Sequence, residues 1–264
     1  MGATEYEEEL RAANEEVYKH SLELVRLKQA LEAANAQQES LLHFISHEVK
    51  GFLTKDASAF AALADGDFGD LPEALKPFVE RALTQSRDGA RSVTDILTAS
   101  NQKKGTVSYT KEIFDLKAVA EGAVEKAKST ADAKGLVLSF SADSGVSYTF
   151  NGDKGKIGDN VFRNVIDNAI NYTPSGSVAI SLKKESGKFI FSVKDTGIGI
   201  KEEDRKLLFT AGGHGKDSQK VNVHSTGYGL FIAKNIMEAH GGSIRAESKG
   251  EGEGSIFIVE LPST

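Results

Sequence analysis

"KIGDNVFRNVIDNAINYTP", residues 156–174, carries four asparagines through a stretch whose apolar residues recur at helical spacing. At 100° per residue, Asn164, Asn168, Asn171 and Tyr172 fall within about a 100° arc. Val161, Phe162, Val165 and Ala169 form the adjoining apolar face, and Asp159, Arg163 and Asp167 point to solvent. Amides at the margin of a buried face either wall a cleft or are plain boundary polars. The helix alone leaves both readings open.

Two glycine sites downstream narrow the choice. "KDTGIGI" (194–200) follows a strand that Asp195 ends. Gly197 and Gly199 let the backbone turn tightly against a flat ligand, although many strand-to-loop turns use Asp and Gly. "STGYGLFIAKNIMEAHGG" (225–242) sets Gly227 and Gly229 at the start of an amphipathic helix, whose free N–H groups and dipole suit a phosphate chain. Between them "TAGGHGKDSQKVNVHS" (210–225) is too polar to pack a core and reads as a mobile lid. The chain contains neither a Walker A loop nor G-x-G-x-x-G after a strand, which argues against P-loop and Rossmann sites.

Around these sites, "VSYTKEIFD", "LVLSFSA", "SYTFNG", "SVAISLKKE", "KFIFSVKD", "SIRAES" and "SIFIVEL" read as strands rich in β-branched and aromatic residues. Helical patterns lie between them at roughly 115–134, 155–172 and 227–240. The irregular alternation predicts an α/β sandwich with a mixed sheet over 107–264.

The N-terminal part is different. No Gly stands between Gly2 and Gly51, and no Pro precedes Pro72, so a helix is expected to run to about Leu63. Leu10, Val17, Leu24, Leu31, Gln38 and Ile45 recur every seven residues, and Ala13, His20, Leu27, Ala34 and Leu41 follow three later. These are a and d positions of a coiled coil, whose stripe needs a partner, most simply a second copy in a parallel homodimer. After the turn "DGDFGDLP" (65–72), Leu75, Val79, Ala82, Leu83, Ser86, Val93 and Leu97 define a second amphipathic helix. Two such helices per chain, doubled, make an all-α four-helix bundle. "SNQKKGTVS" (100–108) reads as a linker. The expected divisions are a coiled coil over 1–40, a helical hairpin over 41–102 and the α/β domain over 107–264.

Composition excludes several classes. The chain has 264 residues, no cysteine and a formal net charge of −6, of which residues 1–40 contribute nine Glu against four Lys or Arg. No disulfide framework, thiolate metal site or cysteine nucleophile is available. The acidic balance argues against nucleic-acid binding. No run of 18 apolar residues suggests a membrane span, and no signal peptide is visible.

The Asn helix, D-x-G-x-G, lid and glycine-led helix, in that order, resemble the ATP-binding domain shared by sensor histidine kinases, gyrase-type topoisomerases, heat-shock chaperones and mismatch-repair ATPases. "GEGEGSIFIVELP" is similar to the histidine-kinase form of the last glycine box, and "FISHEVKGFL" precedes it on the dimerising helix. The resemblance, over about 40–262, is thereby narrowed to two-component sensor histidine kinases. It implies His47 as phosphoacceptor and Glu48 as the acid/base beside it. Asn168 is implied to hold Mg²⁺, with Asn164 supporting it one turn earlier. Tyr172 matches the aromatic against the adenine, and Asp195 the carboxylate that accepts from the adenine amino group. Gly197 and Gly199 match the first glycine box and Gly227 and Gly229 the second, with Thr226 among the nucleotide contacts. Ser255 stands where the family usually has Thr. The resemblance implies ATP and Mg²⁺ as cofactors, a homodimer, and a response regulator receiver domain as partner. It also implies an N-terminal sensor module outside this sequence and a cytoplasmic location, free or as the cytoplasmic portion of a membrane-bound sensor. Nucleic acid is not among the partners.

With Ile45 at a and Glu48 at d, His47 occupies a c position, away from the seam. A zinc pair of His43 and His47 is the alternative, but H-x-x-x-H-E matches neither usual zinc motif and no third ligand stands out. Four positions depart from the family. Gly51 and Phe52 replace Thr or Asn followed by Pro, which implies weak phosphatase activity. Asn171 replaces a Lys or Arg near the phosphates, leaving Lys216 or Lys220 to supply charge. After "LLF" (207–209), "TAGG" lacks a second Phe. The rival readings are a conformational ATPase without a phosphoenzyme, and a degenerate nucleotide-binding scaffold without phosphotransfer.

Overall fold

A computed structural model describes residues 2–103, 107–213 and 227–263, the side chains of 3–9, 43 and 103 excepted. The chain divides into two compact units, Met1–Ala90 and Arg91–Thr264.

The first unit is helical. Helix α1 runs Ala3–Phe44, a wider π turn covers Ile45–Val49, and α2 runs Lys50–Ala64. The expected unbroken α-helix is therefore interrupted at Ile45–Val49. The turn at 65–72 forms as expected, with Gly66 and Gly69 at φ +82° and +99°, values that favour glycine. Helix α3, Lys76–Lys103, returns beside α2: a Cβ on Gly89 would lie 3.1 Å from Leu53 Cδ1, so the bare glycine lets the helices approach. The stripe residues Leu10, Val17, Leu24, Leu31, Leu27 and Leu41 are all more than half exposed.

The second unit is the α/β sandwich. Helix α3 continues four residues into the stretch read as linker, since the first helix breaker there is Gly105. The remaining elements are β1 (Glu112–Asp115), α4 (Leu116–Ala133), β2 (Val137–Ala142), β3 (Thr149–Gly152), a π segment (Lys156–Phe162), α5 (Arg163–Asn171), β4 (Ser177–Glu185), β5 (Lys188–Asp195), the short α6 (Glu202–Arg205), α7 (Gly229–Ala239), β6 (Ser243–Glu247) and β7 (Ser255–Pro262). Five strands form a sheet in the order β2-β4-β5-β7-β6, and β1 pairs with β3 apart from it. Only β2–β4 is parallel, so the sheet is mixed as expected. Phe189, Phe191 and Val193 alternate along β5 into the core, where Phe162 stacks on Phe191 at 4.0 Å.

The strand expected from Val107 begins only at Glu112, because the residues before it bond elsewhere. Thr110 N donates to Asp153 Oδ2 (3.1 Å), and the Tyr109 ring meets His240 edge-on at 5.3 Å. His240 is buried: Nε2 accepts from Asp153 N (2.9 Å) and Nδ1 faces the Ile236 carbonyl (2.7 Å), which assigns the proton to Nδ1. Burial works against the Asp153 carboxylate, but the Lys156 and Thr110 amides and the Lys156 ammonium hold its pKa below the usual range.

Candidate functional site

Helix α5 buries Val165, Ile166, Ala169 and Ile170, and leaves Asn164, Asn168, Asn171 and Tyr172 half-buried along one border. The amides form a chain up that border. Asn168 Nδ2 donates to Asn164 Oδ1 (3.5 Å), and Asn164 Nδ2 donates to the Asn160 carbonyl (3.4 Å). Asn168 Oδ1 is thereby the oxygen turned away from this chain. Asp159 is exposed and pairs with Lys126 Nζ at 3.0 Å. Arg163 and Asp167 are more covered than the helical wheel suggests. Arg91 on α3 and Arg163 each reach Asp167 Oδ2 at 3.3 Å, a contact from 76 residues away that no local period encodes.

Two residues not singled out in the sequence fix the end of α5. Thr173, fully buried, donates to the Ala169 carbonyl (2.6 Å). Lys134 Nζ donates to the carbonyls of Ile170 (3.0 Å) and Asn171 (3.2 Å), placing a cation at the negative end of the helix. Partial burial lowers the Lys134 pKa.

The carboxylate of Asp195, at the end of β5, is buried and held on three sides. Oδ1 accepts from Gly197 N (2.8 Å) and Ser255 N (3.2 Å), and Oδ2 accepts from Ser255 Oγ. A carboxylate has about four acceptor sites, so one remains for a further donor. The register makes this possible, since Asp195 and Ser255 are partners across β5 and β7.

The glycines here are dictated by close approach. A Cβ on Gly197 would run into the Tyr172 carbonyl, and one on Gly199 (φ +73°) into that of Gly250. Two backbone bonds zip the loop after β5 to the loop before β7, from Gly254 N to Gly197 O (3.1 Å) and from Gly252 N to Ile198 O (2.7 Å). Ser248, absent from the sequence reading, completes the zip. Its Oγ accepts from Ile200 N (3.0 Å) and Gly250 N (3.2 Å) and donates to Gly254 O (2.7 Å), which fills a hydroxyl's capacity. No motif signals it, because its partners lie up to 48 positions away.

Gly227 has φ +68°, and a Cβ on Gly229 would strike the Asn164 carboxamide. The second glycine site and the Asn border therefore meet, with the start of α7 against α5. Amides in the first turn of a helix have no intrahelical partner and form an anion site. Asn164, Asn168, Asn171, Tyr172, Asp195, Gly197, Gly199, Gly227, Gly229 and Ser255 all lie in this unit. Thr226, Lys216, Lys220 and the expected lid beyond Gly213 lie outside the described residues.

His47 and Glu48 belong to the helical unit, in the π turn. The His47 side chain is 80% exposed, and its Nδ1 lies 3.5 Å from Glu48 Oε1. Among the described residues, nothing beyond the helix's own nearby backbone and its chain neighbours lies within 4 Å of where a Cβ on Gly51 would stand. No three His, Cys, Asp or Glu residues gather as a metal site among the described residues, and the His43 side chain is not one of these.

Residues 154–264 match the family described as histidine kinase-, DNA gyrase B- and HSP90-like ATPase. The chain is 30% identical over 219 residues to the sensor protein SrrB of Staphylococcus aureus (strain MRSA252), covering 83% of this chain and 37% of SrrB. It thus spans little more than a third of that relative. Among solved structures it resembles full-length ShkA in complex with AMPPNP (TM-score 0.65, 21% identity, 84% of this chain and 45% of that one). It also resembles the histidine kinase AdeS of Acinetobacter baumannii (TM-score 0.55, 26% identity, 83% and 98%).

Proposed function

Starting from the premise that residues 154–264 are an ATPase domain of the histidine kinase, gyrase B and HSP90 type, and that the chain is a two-component sensor histidine kinase catalytic core, we propose that it phosphorylates its own His47 from ATP and passes the phosphoryl group to an aspartate of a response regulator receiver domain. The working unit is a cytoplasmic homodimer under the control of a sensor module outside this sequence.

The site fits a nucleotide. The open acceptor position on Asp195 suits the adenine amino group, and Tyr172 suits the ring. Gly197 and Gly199 let the loop beside Asp195 pack against the Tyr172 and Gly250 carbonyls, which fixes the wall a flat base would lie on. Amides at the start of α7 suit the phosphates, with Thr226, Lys216 and Lys220 further candidates. Asn168 Oδ1, with phosphate oxygens and waters, matches how Mg²⁺ is usually held, and that ion would neutralise phosphate charge. Asn171 contributes no charge.

The observation that carries the kinase reading is the His47–Glu48 pair, since the ATP site alone serves a conformational ATPase equally well. Glu48 beside Nδ1 favours the tautomer protonated there, which leaves the Nε2 lone pair as nucleophile. A bond forms from Nε2 to the γ-phosphorus, the bond from that phosphorus to the bridging oxygen breaks, and ADP leaves. The proton on Nδ1 passes to the Glu48 carboxylate as the ring gains positive charge. With no side chain at Gly51 to orient water, phosphatase activity is weak.

Incubation with γ-labelled ATP and Mg²⁺ tests the reading. Wild type should acquire acid-labile, base-stable label; His47→Gln and Asn168→Ala should not. ATP hydrolysis without a phosphoenzyme would favour the conformational ATPase instead, and nucleotide binding with neither would favour a scaffold. A labelled receiver should lose phosphate no faster in the presence of the protein than alone.

A further inference from the structure

The heptad stripe breaks at His47. Seven residues beyond Ile45 stands Phe52, which is 60% exposed with Lys55 Nζ over its ring at 5.9 Å. The residue that faces α3 is Leu53, against Gly89, and the next, seven further on, is Phe60, also partly covered. The apolar stripe thus steps by seven from Leu10 to Ile45, by eight to Leu53, and by seven again to Phe60. The d positions do the same, from Leu41 by eight to Val49, in place of the seven to Glu48 that an unbroken heptad assigns, and by fourteen to Leu63.

In an uninterrupted α-helix an eight-residue step would turn Leu53 about 80° away from the line of Ile45. One extra residue accommodated in a π turn removes most of that rotation. The structure places such a turn at the break: Lys50 N donates to Ile45 O, an i to i+5 bond. Sequence step and backbone geometry agree on the same insertion.

The turn also acts on the pair inside it. Neighbouring residues in an α-helix diverge by 100° and do not face each other. In a π turn the angle falls to about 80°, and His47 Nδ1 comes to 3.5 Å from Glu48. We propose that the π turn Ile45–Val49 is a positioning element for the phosphoacceptor: it absorbs a one-residue insertion in the coiled-coil register and so sets His47 and Glu48 together outside the seam. This rests on the kinase reading of His47. The insertion leaves the stripe intact above and below while giving the reactive pair its own rotation.

Removing the insertion tests it. Deletion of Lys50 restores a seven-residue step, so the helix can run as α throughout. The deletion variant should fold, with unchanged helical content and a melting temperature equal to or above wild type. Its KM for ATP should stay within twofold while kcat for His47 labelling falls at least about tenfold. Lys50→Ala, which keeps the length, should label normally, as should deletion of residues 18–24, which removes one whole heptad. One alanine inserted after Gly51 in the Lys50-deleted chain restores the eight-residue step and should restore labelling. Undiminished labelling by the deletion variant overturns the inference, and so does its unfolding, because a register-matched helix has to be at least as stable. A wild type that fails to label sinks the kinase reading itself. A labelling wild type with an unaffected deletion variant sinks only the role of the π turn.

Discussion

Asp195 shows how few side chains define the proposed nucleotide site. Its carboxylate is buried, and such a group is tolerable only while its oxygens are hydrogen-bonded. Ser255 supplies two of the three donors, one from its backbone and one from its hydroxyl. Ser255→Ala removes the hydroxyl and leaves Oδ2 short of a charge-assisted partner, a loss of about 2 kcal/mol. We expect the variant to melt lower and to bind ATP roughly tenfold more weakly, whereas Ser255→Thr keeps the hydroxyl and stays within about twofold; calorimetric titration with a non-hydrolysable ATP analogue reads both. Gly197→Ala is the harsher change. Its methyl would collide with the Tyr172 carbonyl and crowd Asp195 and Thr173, so the loop after β5 has to move. Nucleotide binding should fall below detection in the same titration, with the far-UV spectrum largely preserved.

At the scale of elements, the edge of the sheet carries an ionic clasp across three strands. Glu260 on β7 accepts from Lys188 on β5 (2.7 Å) and from Arg245 on β6. Lys188 and then Arg245 hold the Glu260 pKa below its usual value. A carboxylate with a lowered folded-state pKa contributes stability above its unfolded pKa and loses it as pH falls through the folded value. Asp153 shifts the same way. The clasp therefore contributes in full at neutral pH and fades below about pH 4. Glu260→Gln should melt below wild type at pH 7, and the gap should close as melts are repeated toward pH 3; a gap independent of pH counts against the clasp. Strands such as β4, β5 and β7 were legible in the sequence because a period of two and β-branched residues are local properties. The late start of β1, Lys134 and Ser248 were not, because partners far along the chain decide them. The π turn escaped for another reason. A single inserted residue leaves both flanking periods intact and appears only when the two stripes are compared.

At the scale of the molecule, the stripe on α1 is apolar and exposed along a helix of 42 residues, about 63 Å. Contiguous exposure of that kind is stable in water only when covered, and in the proposed homodimer a second copy of the same stripe would cover it. Leu24→Asp with Leu31→Asp places charges at two a positions of each strand. We expect that double variant to sediment as a monomer at concentrations where wild type is dimeric, with its ATP affinity unchanged, because the substituted residues lie outside the unit that carries the site. Charge adds a second signature. Residues 1–40 carry nine Glu against four Lys or Arg, or −5 per chain, so a parallel pair brings about ten excess negative charges alongside one another. At 0.01 M ionic strength charges interact over ~30 Å, and at 0.1 M over ~10 Å. Apolar seams gain or keep strength with salt while this repulsion is screened, so the dimer should tighten as salt rises over that range. An assembly held chiefly by interhelical salt bridges would loosen instead. Sedimentation equilibrium at the two ionic strengths separates them, and a dissociation constant that rises with salt would mean that the glutamates meet cations across the interface rather than one another.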